Sequence, residues 1–175
     1  MTEEVSFEEL YRTHYRRVFG LCRKLLGTSD QAEDATQEVF VRAHRAFRSY
    51  DREQAFSGWI LKIAGNFCAD VLRRRTKERQ LFGAEPVEEQ EIESDRPTAV
   101  GELIAAEQAE KVRGAIDSLP EKYRLPLVLA YYSDSSYDAI ATTLGVSRNH
   151  VGVLILRGKQ QLRRVLSEGD EEHSE

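Results

Sequence analysis

Trp59, Lys62, Asn66 and Arg73 fall on one side of a helical pattern in FSGWILKIAGNFCADVLRRR, residues 56–75. At about 100° per residue, Lys62, Asn66 and Arg73 share a face and Asp70 lies close by. Trp59 joins this polar side rather than the middle of the apolar one. A flat ring, an amide and two cations spread over about three turns are the groups that stack on bases and pair with phosphates. The same pattern fits a Trp half-buried at a helix start among solvated charges. Ile60, Ala64, Phe67 and Val71, with Ile63 at the edge, form the apolar stripe expected to enter a core.

The elements that would carry this face are all helical by periodicity. In SFEELYRTHYRRVFGLCRKLLG the residues Phe7, Leu10, Tyr11, Tyr15, Val18, Phe19, Cys22, Leu25 and Leu26 recur at three- and four-residue steps. Ser6 and Glu9 have capping-box spacing, and Gly27 ends the helix. A second helix is expected to start near Ser29 or Asp30, with Ala32, Ala35, Val39, Phe40 and Ala43 facing inward. RSYDREQAF then reads as a polar loop with aromatic flanks. Three helices of this length can bury a shared core.

After residue 80 the composition changes. FGAEPVEEQEIESDRPTAVGE is acidic, holds two prolines and two glycines, and lacks a sustained apolar stripe, so it reads as a flexible linker. The net charge of −5 averages over unlike segments. It is +3 over residues 1–80, −8 over 81–110, +5 over 111–167 and −5 over the tail 168–175. Two basic blocks split by an acidic connector are an electrostatic hint of polyanion binding. No apolar run approaches the roughly 20 residues needed to span a bilayer, and the acidic N-terminus does not read as a signal peptide. Cys22 and Cys68 sit in helical patterns and read as buried reduced thiols; their spacing does not support a redox pair. No Cys/His cluster has metal-ligand spacing, and His14, His44, His150 and His173 form no spaced group. No phosphate-binding glycine loop or nucleophile motif is present, so an enzyme is not expected and no cofactor is implied.

The second basic block begins near Leu103 with a helix to about Ser118. A further helix follows in LPEKYRLPLVLAYYSD, with Pro126 disturbing its first turns. SYDAIATTLGVSRNHVGVLILRGKQQLRRVL then shows Ala141, Gly145 and Val151 at the spacing of a helix-turn-helix. A small Ala permits close crossing, Gly145 takes the turn, and Ile140, Leu144, Val146 and Val151 close the core. Ser147 caps the second helix, whose first residues Arg148, Asn149 and His150 would point into a major groove. Helical hairpins can mimic this pattern.

Together these stretches resemble the extracytoplasmic-function group of the sigma-70 family of bacterial sigma factors, over about residues 5–80 and 105–166. The family pattern A-E-D-x-x-Q-E-x-F is filled by Ala32, Glu33, Asp34, Gln37, Glu38 and Phe40. The pattern W-[LI]-x-x-I-A-x-N-x-x-x-D-x-x-R-R is filled by Trp59, Ile60, Ile63, Ala64, Asn66, Asp70, Arg73 and Arg74. The resemblance implies an all-α chain of two small helical domains, an N-terminal bundle and a C-terminal helix-turn-helix domain, joined by a flexible acidic linker. It implies sigma region 2 over 1–80, a linker over 81–103, region 4 over 104–167 and a tail over 168–175.

It also implies roles and partners. Asp34, Gln37 and Glu38, which share a face at i, i+3 and i+4, would dock on the β′ clamp of core RNA polymerase, with the β subunit as a further contact. The loop Ser49–Ala55, with Ser49, Tyr50 and Asp51, would capture a flipped base of the −10 element. Trp59, Lys62, Asn66 and Arg73 would hold the adjoining duplex and melted strand, with Arg74 and Arg75 as general phosphate contacts. Trp59 would alternatively wedge the helix start against the loop. Arg148, Asn149, His150, Arg157 and Lys159 would contact the −35 element. The linker would thread a basic nucleic-acid channel, an anti-sigma factor is an implied partner, and the location is cytoplasmic.

The recognition helix departs from the family pattern. Gly152 and Leu154 stand at usually basic positions, Val153 and Leu156 would be apolar near the exposed side, and Ala139 replaces a usual Glu. Gly152 and Gly158 each weaken a helix by roughly 1 kcal/mol relative to Ala. Weaker, less salt-sensitive −35 binding is expected, and an apolar patch there could face a protein instead. The main reading is a sigma factor that directs promoter-specific initiation. The alternatives are a helix-turn-helix regulator that does not engage polymerase, or a sigma-like interaction module.

Overall fold

The computed structural model describes residues 5–75 and 109–171, and among these every long element is a helix. The chain divides into two compact units, residues 1–77 and 78–175. The expected all-α architecture of two helical domains is borne out. The linker at 81–103 and the helix start near Leu103 lie outside the described residues.

The first unit is a three-helix bundle: α1 (Phe7–Leu26), α2 (Ser29–Ala46) and α3 (Phe56–Arg75), with a short 3-10 turn Phe47–Ser49 between α2 and α3. Local chemistry sets the ends. Ser6 Oγ accepts from the Glu9 amide at 3.3 Å while the Glu9 carboxylate accepts from the Ser6 amide at 2.9 Å, a complete capping box. Gly27 closes α1 at φ 94°, where a Cβ would be strained. The cap of α2 is Thr28, one residue before the expected Ser29 or Asp30; its hydroxyl accepts from the Gln31 amide at 3.4 Å.

Val18, Leu21, Cys22 and Leu25 of α1 meet Ala32, Ala35, Val39 and Ala43 of α2 in the core. The buried face of α3 is Phe56, Ile60, Leu61, Ala64, Gly65, Cys68, Ala69 and Leu72. This corrects the expected stripe: Phe67, Val71 and Ile63 are only half-buried, and the core axis is rotated toward Cys68 and Leu72. Both α1 and α2 pack on α3. The buried arc is therefore broad and recruits small residues that a search for large apolar groups passes over.

The second unit contains α4 (Ala109–Ser118), α5 (Glu121–Tyr131), α6 (Tyr137–Leu144) and α7 (Arg148–Glu171). Pro126 is accommodated inside α5 and buried. Val151, Leu154, Ile155 and Leu162 of α7 pack with Leu125, Val128, Ile140 and Leu144 in a common core. Gly158 lets α7 approach α5 closely: a Cβ there would lie 3.3 Å from the Tyr123 carbonyl oxygen. Helix α7 runs on to Glu171, so the expected tail from 168 begins inside it. No single helix among the described residues is long and apolar enough to cross a membrane.

Candidate nucleic-acid interface

Helix α3 keeps one face out of the bundle. Lys62 and Asn66 are exposed one turn apart on that face, with Trp59, Asp70 and Arg73 half-buried beside them. Arg73 Nη1 lies 2.8 Å from Asp70 Oδ1, so this cation already has an acidic neighbour. Arg74 is exposed. Arg75 reaches back to the Leu26 carbonyl at 3.5 Å, serving the C-terminal end of α1. The polar grouping expected from the sequence is thus brought together, although its cations differ in how far they are engaged.

The connection from α2 to α3 is built on aromatic contacts. The Trp59 and Tyr50 rings are 4.7 Å apart between centroids, and Trp59 lies 5.5 Å from Phe56. Tyr50 stacks on Phe47 at 6.0 Å, and its hydroxyl donates to the Gln54 carbonyl. Burial and then Asp51 push the Tyr50 phenol up from its ordinary value. Asp51 Oδ1 accepts from the Glu53 amide at 3.0 Å and Oδ2 from Gln54 Nε2 at 3.3 Å. Ser49 Oγ donates to the Ala46 carbonyl at 2.8 Å. Ser49, Tyr50 and Asp51 therefore shape the loop through their own bonds. Trp59 takes the wedge position between helix start and loop, with part of its ring still in solvent.

On α2, Asp34 and Gln37 are exposed and Glu38 is half-buried. Glu38 Oε1 accepts from Arg42 Nε at 2.8 Å, and the Arg42 guanidinium lies 4.7 Å over the Phe67 ring of α3. Beside Gln37 runs an open groove of about 350 Å³ lined by Phe7, Tyr11, Phe40, Val41, His44 and Arg45. Tyr11 and Val41 are 37% and 42% exposed. Sequence reasoning missed this groove. Val41 breaks the inward α2 periodicity, and that was the available signal.

In the second unit, α6 and α7 turn through 98° at their break. Ser136 caps α6, Gly145 closes it at φ 69°, and Ser147 Oγ accepts from the His150 amide at 3.1 Å to start α7. These are the ends a helix-turn-helix requires. Arg148 and Asn149 are exposed. Arg148 also lies 3.6 Å from Asp138 and 6.0 Å from the Tyr137 ring, tying it to α6. Lys159 sits over the Tyr131 ring at 5.2 Å, and Arg157 is half-buried.

His150 departs from the expectation of a groove contact: it is only 8% exposed, and burial lowers its imidazole pKa. The wheel explains this, because His150 sits beside Val151 and Leu154 at the edge of the buried arc of α7. Leu154 is a core residue and Gly152 is buried. The two departures from the family's basic positions therefore withdraw charge from the helix, while Leu156 stays 39% exposed as expected.

Comparison with known proteins matches both units. Residues 10–78 match the family model for Sigma-70 region 2, and residues 109–162 match that for Sigma-70, region 4. The ECF RNA polymerase sigma factor SigE of Mycolicibacterium smegmatis is 35% identical over 95% of this chain, which spans 64% of that relative's length. SigM of Mycobacterium tuberculosis is 30% identical over 94% of the chain and 79% of its own length, and SigW of Bacillus subtilis is 28% identical over 94% and 90%. Among solved structures, the sigma factor RpoE bound to the anti-sigma factor NepR from Bartonella quintana has a TM-score of 0.60 at 16% identity, covering 92% of this chain and 96% of that one. CnrH in complex with the cytosolic domain of CnrY has a TM-score of 0.55 at 22% identity, covering 93% and 88%. With its helical units matched in order to regions 2 and 4, the chain belongs to the extracytoplasmic-function group of the sigma-70 family, the sigma factors of transcription initiation.

Proposed function

We propose that this chain docks on core RNA polymerase through α2, melts the −10 element with α3 and its preceding loop, and positions the −35 element on α7. It is an initiation factor acting in the cytoplasm, not a catalyst in its own right. Residues 1–80 act as the melting module and residues 104–167 as the upstream reader, with 81–103 as a connector through the polymerase and 168–175 as an acidic end.

The observation that carries the reading is the paired exposure of Lys62 and Asn66 on the one face of α3 that the bundle leaves open, beside the clamped loop. Unstacking a base costs a few kcal/mol, and contacts to the released strand must offset it. Lys62 would take a phosphate, Asn66 a base edge or phosphate, and Ser49, Tyr50 and Asp51 the rim of a base pocket. Arg73 and Arg74 would extend the phosphate track. Asp34 and Gln37 present the docking face, with Glu38 held in register by Arg42.

On α7, Arg148 and Asn149 would read bases, with Arg157 and Lys159 on phosphates. His150 would support the helix from within the fold. Because an anti-sigma factor binds the structural relative RpoE, a protein of that class is the expected regulatory partner here. Run-off transcription with purified core polymerase and a genomic promoter library tests the proposal. Discrete transcripts that require this chain support it; failure of folded, partner-free protein to bind core polymerase opposes it and favours a polymerase-independent regulator.

A further inference from the structure

Cys22 on α1 and Cys68 on α3 are the two cysteines of the chain, 46 residues apart in sequence. The fold brings their sulfurs to 3.8 Å, with both residues 0% exposed. Thr36 of α2, itself fully buried, is also a neighbour of Cys22, with its hydroxyl donating to the Ala32 carbonyl at 2.6 Å. All three helices of the first unit therefore converge on one sulfur pair. The two thiols are unequal. Hydrogen bonding from Cys68 lowers the Cys22 pKa against the cost of burial. Hydrogen bonding to Cys22 and burial push the Cys68 thiol up. The Cys68 thiol donates toward the Cys22 sulfur, which places a developing thiolate on Cys22 while Cys68 keeps its proton.

We infer that Cys22 and Cys68 form a dithiol oxidation site that closes to an intramolecular disulfide between α1 and α3 when a small hydroperoxide reaches it. The chemistry balances as follows. The Cys22 thiolate attacks one peroxide oxygen, the O–O bond breaks, and the departing oxygen takes a proton, leaving a sulfenic acid. The Cys68 sulfur then attacks the Cys22 sulfur. The S–O bond breaks, and hydroxide leaves as water with the proton from Cys68. The two sulfurs lose two electrons and the hydroperoxide gains them. A disulfide needs a separation of about 2.05 Å, so the sulfurs must close by roughly 2 Å, a movement on the scale of side-chain rotation. Entry to the buried pair requires the bundle to open locally, which makes the reaction slower than that of an exposed thiol. Once closed, the cross-link encircles α2 and the 49–55 loop and restricts reopening.

The test uses the reduced full chain in native buffer with hydrogen peroxide as the probe. After denaturing alkylation, peptides are mapped without reductant. The expected result is a monomer with both thiols lost, a Cys22 peptide joined to a Cys68 peptide, a raised thermal midpoint and full reversal by dithiothreitol. In Cys68→Ala the reaction should stop at a Cys22 sulfenic acid that dimedone traps. Recovery of both thiols from the peroxide-treated wild type would overturn the proposal, as would oxidation found only as intermolecular dimers or as over-oxidised Cys22. The wild-type map decides the matter even if the variant fails to fold.

Discussion

The indole of Trp59 lies 4.7 Å from the Tyr50 ring, measured between centroids, and this contact joins the start of α3 to the loop that precedes it. Tyr50 is in turn fixed by Phe47 and by its bond to Gln54. The rings hold the loop at the end of the exposed Lys62–Asn66 face. Trp59→Ala should therefore lower stability by about 2 kcal/mol, below the ~3–5 kcal/mol of a fully buried aromatic, because the ring is only half-buried. Trp59→Phe should recover more than half of that loss. Urea unfolding followed by circular dichroism measures both, and promoter melting should fall more than polymerase binding in the Ala variant.

Gly145 closes α6 at φ 69°, and no atom lies within 4 Å of a Cβ built there. Gly145→Ala should cost about 1 kcal/mol through the backbone alone, and Gly145→Asn less, since Asn tolerates the left-handed region. Equal stability of the Ala variant and the wild type in urea titration would contradict the turn geometry.

The pH response of the second unit should depend on His150. Burial lowers its pKa from 6.5. As the pH falls through that value the unfolded chain takes up a proton that the folded chain resists, so stability rises with pH. The His150 contribution is fully present above the unfolded pKa. It declines as the pH drops below it, and levels off once the folded imidazole is itself protonated. His14 in the first unit, lowered by burial and then by Arg17, has the same sign. His150→Gln should flatten only the second unit's dependence, read from urea midpoints between about pH 5 and 8.

Arg42 links the proposed docking face of α2 to α3 by bonding Glu38 and covering Phe67. Arg42→Ala should destabilise the first unit by about 1 kcal/mol, since a half-exposed ion pair is worth ~0.2–1 kcal/mol and an exposed cation–π contact ~0.5–1 kcal/mol. Arg42→Lys should keep part of the charge term and lose the planar stack. Asp34→Ala with Gln37→Ala should instead leave stability within about 0.5 kcal/mol, as expected for exposed positions, and weaken polymerase binding. Thermal unfolding beside a core-polymerase binding titration separates the two effects.

Much of this architecture was legible in the sequence because it is local. The Ser6–Glu9 box, Gly27, Gly145 and Ser147 announce helix ends by chemistry confined to a few residues. The open face of α3 was legible because polar groups repeat at helical spacing. The orientation of its buried side was not, because the broad contact with two helices selects Gly65, Cys68 and Ala69, whose small size carries little hydrophobic signal. His150 looked like a groove residue because position in a motif says nothing about the depth of a side chain. The Cys22–Cys68 approach depends on how α1 meets α3 and was invisible to spacing. The groove beside Gln37 likewise depends on two helices meeting.

The most direct test of promoter melting compares the wild type with a Lys62→Ala/Asn66→Ala variant, both bound to core polymerase on one active promoter. Permanganate reactivity of unpaired thymines reports strand opening, and run-off product reports initiation. Both substitutions are on exposed positions, so folding and polymerase binding should be retained. Loss of two strand contacts worth about 1 kcal/mol or more each should reduce both signals by roughly tenfold or more. Wild-type levels of thymine reactivity and transcript from the double variant, at equal polymerase occupancy, would contradict the claim that this face of α3 holds the melted strand.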